Sequence, residues 1–107
     1  MQVAYATSIE TTGPLTASVV LVYSRNSGAT WEPVTSTKMR AQTSGAAWRS
    51  ANGQGFLAVN AGDAVRFGLR LERESGSGDV NAVRCQIAWM AVNRDGTASP
   101  RDAGLSP

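Results

Sequence analysis

The sequence contains no histidine, one cysteine (Cys85) and one lysine (Lys38) among its 107 residues. Lack of histidine removes the commonest general base, the Ser-His and Cys-His nucleophile pairs and most zinc sites. A single cysteine forms neither an internal disulfide nor a multi-cysteine metal site, and it suits a reducing compartment at synthesis. No stretch approaches the roughly 18–20 apolar residues needed to cross a bilayer. The start, Met1-Gln2-Val3-Ala4-Tyr5, lacks the basic opening and apolar stretch of a secretory signal, so synthesis in the cytoplasm is expected.

Charge is also scarce. Charged residues make up 17% of the chain, against a usual value of about 25%. The formal net charge is only +2. Nucleic-acid binders gather Lys and Arg into a patch or stripe. Here the arginines are scattered, with acids close by in the Arg70, Glu72, Arg73, Glu74 segment. Neither a nucleic-acid partner nor a membrane partner is expected. The 42% hydrophobic content excludes disorder across the chain, and the length fits one domain.

What is present is strand pattern nearly throughout. Val3, Tyr5, Thr7 and Ile9 alternate with more polar or smaller residues, the period of a half-buried strand. Thr12-Gly13-Pro14 marks a turn, and Leu15 to Arg25 is a β-branched-rich second strand. Trp31 to Ser36 and Lys38 to Thr43 are shorter candidates, Pro33 pushing the first to an edge or bulge. Asn52-Gly53-Gln54-Gly55 and Ser44-Gly45 read as loops around Trp48. Strands are predicted at Phe56 to Asn60, Ala64 to Glu74 and Val80 to Asn93, with a tight turn at 61–63 and a flexible loop at 75–79. The prediction is an all-β, antiparallel jelly roll or β-sandwich of seven to eight strands over residues 1–93, followed by an extended tail, 94–107.

Two strands are apolar on both faces. Val19, Leu21 and Tyr23 point one way and Val20 and Val22 the other; Val83, Cys85, Ile87, Trp89 and Ala91 oppose Ala88, Met90 and Val92. Either a loop or tail of the same chain covers the second face, or a subunit interface does. The interface is the favoured explanation, with Ile87 and Trp89 or Met90 and Val92 as its residues.

Ser24-Arg25-Asn26-Ser27-Gly28-Ala29-Thr30-Trp31 resembles the Asp-box hairpin of sialidases and many unrelated β proteins. Its logic is local: Asn26 bonds to backbone amides ahead of it, Gly28 supplies positive φ, and Trp31 anchors the hairpin in the core. Ser24, Asn26, Gly28, Thr30 and Trp31 are therefore structural and imply no catalysis. Glu72 and Glu74 share a strand face at a spacing a glycosidase could use, but Arg70 and Arg73 beside them point to surface ion pairing. Ser44, Ser50 and Ser99 have no histidine to activate them. Cys85 reads as a buried small hydrophobe. Oxygen-ligand sites at 60–63 or 78–79 lack calcium-loop spacing. Neither an enzyme nor a cofactor is expected. Trp31 and Trp89 fall in the core by parity, leaving Trp48 as the aromatic candidate for a partner surface.

Three stretches carry a wider resemblance: 45–50 (GAAWRS), 59–65 (VNAGDAV) and 85–93 (CQIAWMAVN). The GDAV turn before a long alternating strand and an apolar closing strand resemble the trimeric jelly rolls of the tumour-necrosis-factor and complement-globular type. Members on tailed bacteriophages serve as capsid decoration (cement) proteins or tail-fibre tips. The resemblance implies a homotrimer on the virion surface that binds the major capsid protein and stabilises the shell. Arg94, Arg101 and Leu105 are the expected shell contacts. The alternative is a glycan- or receptor-binding fibre tip.

Overall fold

Alternation decides the first strand. In β1 (Gln2–Thr11) every odd residue is buried, from Val3 to Thr11, so one face seeks a partner sheet. The computed structural model describes residues 1–60 and 62–90, and supplies that partner in an antiparallel sandwich of seven strands. The other strands are β2 (Leu15–Ser24), β3 (Glu32–Pro33), β4 (Met39–Thr43), β5 (Ala47–Phe56), β6 (Arg66–Gly76) and β7 (Val80–Met90). Sheet A is ordered β5-β1-β7. In sheet B the central β2 pairs with β6 along one edge, and with β4 and β3 in succession along the other. The predicted all-β sandwich is the observed class.

The core is the cluster Val3, Tyr5, Val19, Leu21, Val34 and Ala51, with Phe67, Leu69, Leu71 and Ile87 packed against it. Polar groups in it are satisfied. Thr37 accepts the Leu21 N–H at 3.0 Å and donates to the Val34 carbonyl at 2.7 Å. No buried side-chain nitrogen or oxygen among the described residues lacks a partner.

Several expectations are overturned. The strand expected at Trp31 to Ser36 shrinks to Glu32–Pro33, followed by a 3-10 turn over Thr35–Thr37. Pro33 has no N–H to continue a ladder, and the Thr37 hydroxyl takes over the Leu21 amide that a strand would have paired. The expected loop at 52–55 is the interior of β5. A Cβ on Gly53 would lie 2.5 Å from the Thr37 carbonyl oxygen, and one on Gly55 2.5 Å from the Ser36 hydroxyl. These glycines let the 3-10 turn lie on the strand and do not break it. Residues 57–60 are not a strand, because β5 already ends at Phe56.

The loop expected to be flexible at 75–79 is pinned. Gly76 has φ +99°, the Gly78 N–H donates to the Pro14 carbonyl at 2.7 Å, and Thr12 and Asp79 bond to each other. The expected boundary between sandwich and tail, at 93/94, lies outside the described residues. So does the last part of the strand expected to reach Asn93.

Candidate functional site

Among the described residues the two sheets close on one side only. There β4 packs against β5, and the 3-10 turn fills the space beneath β5. On the other side β6 and β7 are both edge strands, and they are not packed on each other in that way. Register puts Val83, Cys85, Ile87 and Trp89 of β7 opposite Ile9, Thr7, Tyr5 and Val3, hence on the inner face. Phe67, Leu69 and Leu71 of β6 stand opposite Tyr23, Leu21 and Val19, also on the inner face. These groups nevertheless reach solvent: Trp89 is 48% exposed and Val83 47%, while Ile87, Phe67, Leu69 and Leu71 are half-buried. The sandwich therefore has an apolar seam along one side.

That geometry corrects two expectations. Trp89 is on the inward face, as parity requires, but no strand among the described residues covers it. Cys85 is exposed. Strand parity specifies which way a side chain points; only the opposing sheet decides whether it meets anything. The half-buried row Phe67, Leu69, Leu71 is readable as alternation, which gives no sign that its cover is incomplete.

The outer face of sheet A is a second surface. Ala4, Ala6 and Ser8 run along its central strand, flanked by Gln54, Asn52 and Ser50 of β5 and by Ala88, Gln86 and Arg84 of β7. At one end Phe56 and Met90 flank Gln2, and Phe56 is 71% exposed. Met90 is thus on the opposite face of β7 from Ile87 and Trp89, so the two candidate interface sets are separated. At the other end Trp48 is 44% exposed, with the Arg84 guanidinium 4.9 Å from its ring centre. Trp48, Glu10, Thr12 and Asn81 line a recess of about 360 Å³, across which Asn81 Nδ2 donates to Glu10 Oε1 at 2.6 Å.

The Asp-box residues come together around Asn26. Its Oδ1 accepts the Thr30 N–H at 2.9 Å and the Ser24 hydroxyl at 2.8 Å, and its Nδ2 donates to Thr30 Oγ1 at 2.7 Å. Ser24 Oγ accepts the Gly28 N–H at 2.8 Å, with φ +91° at Gly28 and +61° at Ser27. Trp31 does not enter the core. It is 38% exposed and lies over Gly68 and Val22 on the outer face of sheet B. The cover on the second face of β2 is therefore, in part, a loop of the same chain.

Nearby, the Tyr23 hydroxyl donates to Glu32 Oε2 at 2.7 Å, and this bond to the carboxylate raises the phenol's pKa. Burial raises that of Tyr5. Glu74 does not pair with its sequence neighbours: it sits at a bulge and binds Arg40 at 2.7 Å, while Arg73 binds Asp79. No cluster of metal-binding side chains occurs among the described residues. Val92, Arg94, Arg101 and Leu105 lie outside them. Comparison with family models, curated proteins and solved structures finds no match to this chain.

Proposed function

We propose that the protein is a structural virion protein that assembles as a homotrimer and decorates a bacteriophage capsid shell. The observation that supports this reading is the apolar surface left open on the inner face of β7, where Val83 and Trp89 are exposed, together with the exposed Phe56 at one end of the outer face of sheet A. Phe56 and Met90 flank Gln2 at one end of sheet A, whose middle carries small and neutral polar side chains with Arg84 as the charged one; that end suits the three-fold axis. The destination on a shell rests on the sequence resemblance to phage decoration proteins. A trimer binds a symmetric shell by multivalency, since three modest contacts on one rigid body act at high effective concentration. Arg94, Arg101 and Leu105 supply contacts to the major capsid protein, making attachment weaken with salt.

The test is co-sedimentation with capsids of the virus that encodes the chain. Full-length protein should bind and raise the temperature at which the shells open. A chain lacking residues 99–107 should keep its fold and lose occupancy. Adhesion to host cells without capsid binding would overturn this reading in favour of the fibre-tip one. The recess beside Trp48 favours that second reading, because an exposed indole next to a carboxylate and an amide suits a sugar ring.

A further inference from the structure

The proposal of self-association leaves the seam between β6 and β7 unoccupied, and its rim carries a charge pattern that specifies an occupant. We infer that a second copy of this chain closes the seam by antiparallel pairing of the two β6 edges about a two-fold axis at Leu69. This inference rests on the reading of the protein as a self-associating one and adds the contact.

The argument begins from the free edge. Among the described residues β6 pairs only with β2, leaving the outward N–H and C=O groups of an 11-residue strand unpaired. Natural proteins blunt such edges or use them to pair with another chain. The chain's own remaining segment is a poor cover. Among residues 91–107 only Val92 and Leu105 are large and apolar. Another copy brings Phe67, Leu69 and Leu71 of its own.

Charge then selects the register. Arg66, Gly68, Arg70 and Glu72 face outward on β6, opposite Ser24, Val22, Val20 and Ser18 of β2. Two antiparallel copies keep their inner faces on the same side only if the axis passes through a residue, not between two. An axis at Arg70 sets that residue against its own copy, and one at Glu72 repeats the fault. An axis at Gly68 puts Arg66 against Arg70. An axis at Leu71 sets the apolar Leu69 against Arg73 and runs into the bulge at Glu74.

The axis at Leu69 avoids all of these. Arg66 then meets Glu72 of the second copy at both ends, and Arg70 of the second copy comes opposite Gly68, beside the Trp31 ring that lies over it, so that a guanidinium faces an indole and not a like charge. On the inner face Leu69 meets its own copy and Phe67 meets Leu71. Glu72 makes no ion pair among the described residues, so it is available for this one. Seven residues pair, 66–72, and sheet B runs continuously through both molecules. The contact is isologous and closed, and it leaves the Met90 face free for a three-fold axis.

The test is charge exchange read by light scattering on the full chain, with a thermal melt to verify folding. Arg66→Glu and Glu72→Arg each oppose like charges twice, and each should halve the assembly mass and weaken the contact by about tenfold or more. The double variant Arg66→Glu with Glu72→Arg should restore it. A mixture of the two single variants should form a mixed pair, since one then presents only acids and the other only bases at the ends of the paired segment. Cys85, on the seam, should react more slowly with maleimide in the wild-type assembly than in either single variant. A wild-type trimer indifferent to both substitutions would overturn this inference and leave the proposed function standing. A wild-type monomer at all concentrations would overturn both.

Discussion

Gly53 and Thr37 approach so closely that a Cβ on the glycine would lie 2.5 Å from the threonine's carbonyl oxygen. That same carbonyl accepts the Tyr5 hydroxyl at 2.8 Å. The contact ties β5, β1 and the 3-10 turn into the closed side of the sandwich. Closing one side this tightly, with short segments and glycines, contrasts with the long uncovered strands opposite.

Gly53→Ala should therefore be costly despite adding a single methyl. The carbonyl it meets is backbone and held by Tyr5, so relief requires moving the turn. A loss of about 1–3 kcal/mol is expected from urea denaturation. Gly45→Ala is the control, because nothing lies within 4 Å of its Cβ position, and it should change stability by under about 0.5 kcal/mol.

At the Asp box, Gly28→Val should cost about 1–3 kcal/mol, since φ is +91° there and a β-branched residue resists that conformation. Trp31→Ala should cost less than the roughly 3–5 kcal/mol of a buried indole, because the ring lies on the outer face and is 38% exposed. Equal denaturation midpoints for wild type and Gly28→Val would show that the loop tolerates the change.

Alkaline pH should destabilise the fold. Tyr5, through burial, and Tyr23, chiefly through its bond to Glu32, ionise less readily in the folded chain than in the unfolded one. Their contribution is thus complete below about pH 10, where both states keep the phenol proton. Above that the unfolded chain releases protons first, and stability falls until the folded phenols titrate as well. The melting temperature should decline as the pH rises past about 10. Tyr23→Phe should make the decline shallower, and an unchanged slope would contradict the assignment.

Local chemistry made much of this protein legible. The odd-numbered face of β1, the turn at 12–14, the long second strand and the paired Ser24, Asn26 and Thr30 all follow from interactions a few residues apart, or from a period of two that needs no knowledge of the partner. Gly53 and Gly55 illustrate the limit. Two glycines near an asparagine read as a loop, yet they belong to a strand because a turn some 16 residues earlier lies against them. Trp89 illustrates another. Its parity correctly places it inward, and its exposure follows from how little β6 and β7 pack on each other among the described residues.

The sequence by itself determined the β class, which way the faces of β1, β2, β6 and β7 point, and the local bonding of the hairpin box, because these depend on alternation and on bonds within short segments. Only the tertiary structure decided which inward faces are covered. Burial depends on two sheets meeting, and here the short β3, the 3-10 turn and β4 close one side while β6 and β7 stand apart on the other. Strand pattern is identical in the covered and uncovered cases. The apolar seam and the order of charges along its rim therefore emerge only once β6 is seen to have a free edge.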